Sequence, residues 1–382
     1  MKATKPWSTI LMDSAAEKRL LMLRRAQHER QNSQRVKVIP VRSESCRRVK
    51  GGFSSRIPIG FLLIVLSMLA AKALPAAQIN VVWTSEVGLF APLWVTKEAK
   101  LFEKYGNQVQ LIFIQGASSA AAALISGDAH VGMFSPQVVI TSTMQGLDLI
   151  MLGRLGSSMD NRIFGKKGIK NIKQIKSRAI SRFASNADFA GRFLVERAGL
   201  KPDVDVAFLQ FANQSNRLAA IETGRADAAI VTPPMTLQAR KMGFPLLVDA
   251  SKLDIPYSSL LFVVRKSYLA KNPDDVRNFI KALIEGVHHY NNANREHSLK
   301  VLSKYMKINE REVLEENFRE YDFPLKPYPA KEYYELPIQE VGRKDPKVLK
   351  ENPERFADGS LVKELDDSGF IDKLTRDYGL KK

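Results

Sequence analysis

The sequence predicts an α/β protein of two lobes, each a doubly wound, mostly parallel sheet, with a helical segment at the C-terminal end. Three observations lead there. Short apolar runs alternate with helical stretches ending in Gly from Ile79 onward. One strand–helix–strand unit occurs twice. After Leu269 the pattern turns long and helical, as in "NPDDVRNFIKALIEGVHHYNNANREHSLKVLSKYM". With 382 residues, 45% hydrophobic and 26% charged, the chain can bury sizeable cores and suits two or three domains.

The elements follow in order. "INVVWTS" is a continuous apolar run ending in Ser, as buried parallel strands read. "FAPLWVTKEAKLFEKYG" has Pro92 near its start and Gly106 at its end, a helix with its start and stop signals. "VQLIFIQ" is a second strand, and "SSAAAALISG" an Ala-rich helix stopped by Gly127. "AHVGMF", "PQVVITSTMQG" and "LDLIMLGRL" read as strand, helix and strand. The basic, Gly-containing stretch "NRIFGKKGIKNIKQIKSRAIS" breaks the rhythm and reads as a crossover into a second lobe. There the units recur: "RAISRF", "SNADFAGRFLVERAGL", "VAFLQF", "SNRLAAIETG", "ADAAIV" and "PPMTLQARKMG".

The repeat is gapless. Residues 111–136 laid on 208–233 match at six positions: Ser118/Ser215, Ala122/Ala219, Ala123/Ala220, Gly127/Gly224, Ala129/Ala226 and Pro136/Pro233. The matches fall on the helix cap, the close-packing Ala, the helix stop and the turn. Two equivalent units joined by crossovers place a cleft between two lobes.

The net charge of +18 is uneven. Residues 1–77 hold 15 Lys/Arg against 4 Asp/Glu, and the remainder 43 against 36. The globular part is therefore only mildly basic. Without a basic stripe interleaved with aromatics, or a zinc or helix-turn-helix signature, nucleic acid is not an expected partner. The sole cysteine, Cys46, lies in the leader, so the rest of the chain can form neither disulfides nor thiolate sites. Residues 1–55 are a basic extension, expected to be disordered or to reflect a start assigned too early. Residues 56–77, "RIPIGFLLIVLSMLAAKALPAA", read as a secretory signal peptide: the apolar run is short of the ~20 residues a membrane span needs. An uncleaved membrane tether is the alternative.

In an open parallel sheet a ligand sits beyond the carboxyl ends of the strands, near helix N-termini. The residues expected there are Ser85 and Gly88, Gly116, Ser118 and Ser119, and Ser135 in the first lobe. Asn186, Asn213 and Thr232 are their counterparts in the second. Hydroxyls, amides and free N–H groups at helix starts bind anions or polar rings without a charged partner; the same residues also cap helices. Phe90, Trp94 and Phe134 could stack on a ligand, although the spacing of Phe90 and Trp94 also suits a core. No triad, two-His metal site or phosphate loop is present, and no catalytic residue, metal or cofactor is expected.

The segments "WTSEVGLFAPLWVTKEAKLFEKYG", "GASSAAAALISGDAHVGMFSP", "GIKNIKQIKSRAISRFASNADFAGRFLVERAGL" and "IETGRADAAIVTPP" resemble the solute-binding proteins of ABC importers. The subfamily is the one associated with nitrate, taurine, alkanesulfonates and thiamine pyrimidine precursors. The resemblance implies a type II periplasmic binding protein fold, divided as lobe I (78–165), lobe II (166–257), then a return to lobe I with the C-terminal helices (258–382). It implies a periplasmic protein, monomeric, that closes over a small anionic or polar heterocyclic ligand (a sulfonate, nitrate, carboxylate or pyrimidine-like ring) and passes it to a permease. Carried over by position, the ligand loops centre on Ser85, Gly88, Gly116 to Ser119, Ser135, Asn186 and Thr232. Thr232-Pro233-Pro234 stands where many relatives have an acidic or aromatic residue, so a relative's ligand does not transfer. An enzyme on the same fold and a ligand-sensing module are the alternatives.

Overall fold

The computed structural model describes residues 77–156, 159–180, 185–211, 213–292 and 295–381. The basic extension and nearly all of the expected signal peptide lie outside them. Among the described residues no helix is long and apolar enough to cross a membrane.

The first sheet holds β1 (Ala77–Trp83), β2 (Asn107–Phe113), β3 (Val131–Phe134) and β4 (Leu149–Arg154), with helices α1 (Ala91–Glu98), α2 (Leu101–Lys104), α3 (Ala117–Ser126) and α4 (Pro136–Met144) between them. β1 has Ile79, Val81, Val82 and Trp83 buried, because helices cover both faces of a parallel sheet. The second sheet holds β5 (Arg162–Gly165), β6 (Ser177–Ile180), β7 (Ala207–Gln210), β8 (Ala228–Val231) and β9 (Leu246–Asp249), with α5 (Asn186–Arg197), α6 (Gln214–Glu222) and α7 (Met235–Lys241). The chain then returns as β10 (Leu261–Arg265) to the first sheet. It continues through α8 (Lys266–Lys271), α9 (Pro273–Asn291), α10 (Arg295–Met306), α11 (Arg311–Glu320), α12 (Glu335–Lys344), α13 (Ser360–Asp367) and α14 (Phe370–Asp377).

The two sheets have one topology. The strand orders are β2-β1-β3-β10-β4 and β7-β6-β8-β5-β9. Each sheet has one antiparallel strand, fourth in order, and each of those strands arrives directly from the other lobe: β5 follows β4, and β10 follows β9. The register repeats as well. Val81 pairs with Leu111 and Val131, while Arg178 pairs with Phe208 and Ala228. Leu111 to Phe208 and Val131 to Ala228 are the same shift as in the gapless alignment of the sequence.

β5 requires a correction. The crossover was expected to run through Gly165, with lobe II starting at 166, yet Arg162–Gly165 is already a strand of the second sheet, paired with β8 and β9. Ile163 and Phe164 are fully buried in cores on opposite faces of the sheet, but four residues between Asp160-Asn161 and Lys166-Lys167-Gly168 leave too short a pattern to read.

The largest core joins β1, β3 and β10 to α1, α9 and the C-terminal helices, from Ile79 through Trp94, Phe102 and Phe279 to Leu374. α9 lies against α1, where Gly286 lets the helices approach: a Cβ there would overlap Thr96. The C-terminal helices therefore complete the first lobe. α11 and α12 also reach the second, through Arg240–Glu316 at 2.6 Å and Arg343–Glu196 at 2.6 Å.

Candidate functional site

The carboxyl ends of the parallel strands in both lobes converge on a seam that side-chain hydrogen bonds already bridge. After β1 the chain turns through Ser85, half-buried, into Gly88, which is buried. A Cβ on Gly88 would lie 2.8 Å from Asn317 Oδ1 and 2.9 Å from the Tyr321 ring. Gly88 therefore lets the β1 loop press against the end of α11, with the chain's own side chains occupying the space above it.

Ser135 is the N-cap of α4, and its hydroxyl makes no capping bond. Two residues on, Gln137 is buried and its Nε2 donates to the Tyr257 hydroxyl at 3.2 Å. Tyr257 sits in the chain segment that crosses back to the first lobe, fully buried, and donates to Asn186 Oδ1 at 2.5 Å. Asn186 opens α5, and its Nδ2 lies 3.5 Å from Asn161 Oδ1. A helix of the first lobe, a crossing strap and a helix start of the second are thus joined through one hydroxyl. Burial, together with the charge of Asp160, raises the Tyr257 pKa, so this donor keeps its proton at any physiological pH.

Thr232, at the end of β8, is held by a two-way bond to Gln214: its N–H donates to Oε1 at 2.7 Å, and its hydroxyl accepts from Nε2 at 3.0 Å. The peptide bond between the next two residues, Pro233 and Pro234, is cis. Tyr321 donates to Pro233 O at 3.2 Å, and the side chains of Thr232 and Asp160 lie close enough to its hydroxyl to influence its ionisation.

Asp160 is the ionisable group at the centre of the seam. It is 6% exposed, and burial pushes its pKa up to about 6 although Arg162 and the Tyr321 hydroxyl pull the other way. Arg162, 4% exposed, is committed elsewhere, with Nη2 2.5 Å from Glu320 and Nε 3.1 Å from Asp249. Burial alone would raise Asp249, but Ser251 and the Arg162 charge outweigh it and hold that carboxyl below its usual range.

Of the residues singled out in the sequence, the seam brings Gly88, Asn186 and Thr232 together, with Ser135 beside Gln137. Gly116, Ser118 and Ser119 lie at the start of α3, after the edge strand β2, and are half-buried or exposed. Asn213 lies after the other edge strand, β7, where its Oδ1 accepts from the Asn216 N–H at 2.8 Å and caps α6. Edge strands put both loops at the periphery of their sheets. The expected stacking residues need correcting. Phe90, Trp94 and Phe134 are 3%, 0% and 2% exposed and offer no face to a ligand. Trp94 stacks on Tyr305 at 5.0 Å and meets Trp83 edge-on at 5.2 Å, and Phe134 covers Gly132, where a Cβ would overlap its ring.

Sequence reasoning missed Gln137, Asp160, Asn161, Tyr257, Asn317 and Tyr321. The Asp160-Asn161 pair directly before β5 is a usable signal, but the strand-end rule picks residues that leave strands rather than enter them. Asn317 and Tyr321 come from the helical tail, far from the repeated units, and nothing local marks them. Among the described residues no group of three or more His, Cys, Asp or Glu side chains could hold a metal ion.

A family model described as NMT1/THI5 like matches residues 89–296. A binding protein of Brucella abortus (strain 2308) is 24% identical over 251 residues, 63% of this chain and 77% of that protein. The taurine-binding periplasmic protein of Escherichia coli (strain K12) is 27% identical over 234 residues, 59% of this chain and 71% of that one. Among solved structures, the periplasmic nitrate-binding protein of Synechocystis PCC 6803 superposes with a TM-score of 0.64 at 15% identity, covering 77% of this chain and 89% of that one. The periplasmic aliphatic sulphonate binding protein of Escherichia coli does so with a TM-score of 0.60 at 18% identity, covering 71% and 94%. The shared fold is that of periplasmic binding proteins, and these relatives are binding proteins by name.

Proposed function

The chain belongs to the NMT1/THI5-like family, and from that premise we propose that it is the solute-binding component of an ABC importer, working in the periplasm as a monomer. It captures a small polar ligand between its lobes and delivers it to a membrane permease without chemical change. The observation that carries this reading is the seam. Two sheets of identical topology, joined by two crossing segments, face each other through Gln137–Tyr257–Asn186 and Tyr321–Pro233. Such bonds can be exchanged for bonds to a ligand when the lobes part. Closure is then driven by the ligand's differential affinity for the closed state.

Ser135 offers a free hydroxyl at a helix start, Asn186 an amide now shared with Tyr257, and Thr232 a hydroxyl at the facing strand end. The relatives' named ligands, taurine, nitrate and aliphatic sulphonates, define the starting set of compounds. The test is thermal melting of the protein against that set together with carboxylates and polar heterocycles. A ligand bound only by the native state at 100 times its Kd adds about 2.7 kcal/mol of stability. The expected outcome is a melting shift with one chemical class, weakened at least tenfold in affinity by Asn186→Ala or Thr232→Ala. Turnover of a compound would replace this reading with an enzyme. Unchanged affinity in both variants would move the site away from the seam.

A further inference from the structure

The basic stretch that joins β5 to β6 has no part in the seam. From residue 161 to 187 the chain has eight Lys/Arg and no Asp or Glu. Arg162 and Arg178 within it are buried, whereas Lys167, Lys170, Lys173 and Lys176 are exposed. None of these four lysines has an ion pair among the described residues. Their spacing has a physical cause. Residues 169–177 repeat the order Ile, Lys, polar residue three times. Ile169, Ile172 and Ile175 are buried in the core of the second lobe, so the lysine after each is turned to solvent. The segment is also braced along its length. Asn171 Oδ1 accepts from the Lys173 N–H at 2.9 Å, and Gln174 Oε1 from the N–H groups of Lys170 and Asn171 at 2.8 and 3.1 Å. Asp227 Oδ2 accepts from the N–H groups of Lys176 and Ser177 at 2.9 and 3.1 Å. The lysines therefore stand in a fixed row.

Topology puts this row at the pole of the second lobe opposite the seam. The seam lies at the carboxyl ends of β6, β7 and β8, and β5 runs antiparallel to β8, so its own carboxyl end points the other way. The other connections at that pole, residues 198–206, 223–227 and 241–245, hold three Lys/Arg against three Asp and do not cancel the row. Two large apolar side chains flank it. Val204, 76% exposed, precedes β7, whose Ala207 N–H donates to the Lys176 carbonyl at 2.8 Å. Leu246, 41% exposed, opens β9, and the Pro245 carbonyl before it accepts from the Gly165 N–H at 2.9 Å. The row thus has an exposed apolar side chain at each end.

We propose that this pole is a docking surface for an anionic membrane, with the four lysines against headgroup phosphates and Val204 and Leu246 reaching into the interface. Two features favour a membrane over an acidic protein. The exposed cations of the row are all lysine, a point charge on a flexible stem, rather than arginine, whose rigid fork suits a defined carboxylate. The flanking apolar side chains supply the apolar contact that interfacial binding adds to electrostatic attraction. Each lysine near an anionic surface is worth roughly fivefold in affinity, within a Debye length of about 10 Å at 0.1 M salt. Docking at this pole leaves the seam, at the other end of the lobe, uncovered. The proposal stands apart from the solute-binding reading and does not depend on it.

The experiment attaches a polarity-sensitive dye to the full chain, in a Cys46→Ser background, at Val204→Cys or at Leu349→Cys. Leu349 is a 55% exposed residue of the first lobe. The dye reads contact at the pole itself, so the basic leader, the same in every variant, does not decide the result. With vesicles of equal parts phosphatidylcholine and phosphatidylglycerol, the expected outcome is a blue shift at position 204 and none at 349. The shift should be absent with phosphatidylcholine alone and should vanish as salt rises from about 0.1 to 1 M. Lys170→Gln combined with Lys173→Gln should weaken vesicle binding roughly 25-fold. Lys271→Gln combined with Lys300→Gln, which removes the same charge from exposed positions of the first lobe, should leave it unchanged. No shift at 204, equal shifts at both positions, or equal losses in the two lysine pairs would overturn the proposal. A shift with polyglutamate and none with the vesicles would assign the pole to an acidic protein and overturn it too. All of these outcomes leave the importer reading in place, since that reading rests on ligand binding at the seam.

Discussion

The two strand–helix–strand units, β2–α3–β3 and β7–α6–β8, are the same backbone with different interiors. Val81 and Ala120 of the first lobe are fully buried apolar residues; their equivalents in the second are Arg178 and Arg217, also buried. The Arg178 guanidinium lies over the Phe208 ring at 4.7 Å, and Arg217 Nη1 donates to the Ile230 carbonyl at 2.6 Å. Burial depresses both, to about 9 and about 10. What the units share is Gly127/Gly224, Ala123/Ala220 and Pro136/Pro233: residues that stop a helix, let it pack closely and start the next one. Backbone geometry is thus held by a few small residues, and the remaining positions are free to take on other chemistry.

The sharpest way to break the equivalence is at Phe134 and Val231, which precede the paired hydroxyls. Phe134→Ala should lose about 3–5 kcal/mol of stability, as large core truncations do, and Val231→Ala about 2 kcal/mol by the smaller area exposed. Trp94→Ala belongs with Phe134. Urea denaturation measures all three. A Trp94 variant of normal stability but weakened ligand affinity would restore it as a stacking residue.

Making the second lobe resemble the first is the next test. Arg178 has its three guanidinium nitrogens buried without a hydrogen-bond partner among the described residues, and Asp188 is the nearby opposite charge. Asp188 is also paired with Arg192 at 2.8 Å, so it is not stranded when Arg178 is removed. Arg178→Met keeps the volume and removes the desolvated charge; the expected gain is about 1–4 kcal/mol, by analogy with buried ionic groups replaced by apolar ones. A loss of stability would mean that the guanidinium has a structural duty in this lobe.

Asp160 corresponds by register to Ser259 of the first lobe, since Arg162 pairs with Val231 as Leu261 pairs with Phe134; only Asp160 is ionisable, so its effect depends on pH. Its folded pKa, about 6, lies above the ordinary value near 4, so the native state binds the proton more tightly than the unfolded chain. The native state therefore loses stability as pH rises from about 4 to about 6, and the full penalty stands above that. Asp160→Asn should stabilise the ligand-free protein by up to about 3 kcal/mol at pH 7 and by close to nothing at pH 4. Equal effects at both pH values would show that the change acts through packing rather than charge.

Much of this architecture is written locally. The apolar runs with their Gly and Pro punctuation mark both lobes, and the 97-residue shift between the units reappears in the pairing register of both sheets. β5 escaped because four residues carry no period, and its partners β8 and β9 lie more than sixty residues downstream. The site proposed at the seam was legible only in part. Asn186 and Thr232 follow from the rule that ligands sit beyond strand ends. Tyr257, Asn317 and Tyr321 reach the seam only because the crossing strap and α11 fold back over it, and long-range return of that kind leaves no local trace. Phe90 and Trp94 show the opposite error: their place after a strand's carboxyl end makes them candidates for stacking, but the core that their spacing also suits takes both, with Tyr305 of α10 stacked on Trp94.

The smallest effects discriminate most finely between the lobes. Ser135 and Thr232 are equivalent by register, yet only Thr232 is held, by its two bonds to Gln214. The residue equivalent to Gln214 is Ala117, which can offer Ser135 no side-chain partner. The hydroxyl of Ser135 does not cap α4 either. Ser135→Ala should therefore change stability by less than about 0.5 kcal/mol, below the usual loss on removing a helix cap. Thr232→Val leaves Gln214 Nε2 without its acceptor and should cost about 1 kcal/mol, the net worth of one buried hydrogen bond. Ligand affinity should reverse the order. Ser135 has its hydroxyl to give, whereas Thr232 must first release Gln214, so Ser135→Ala is expected to weaken binding more than Thr232→Val. Chemical denaturation and titration of the same two proteins decide it. Equal losses of affinity would mean that the second lobe rearranges around Gln214 on closure.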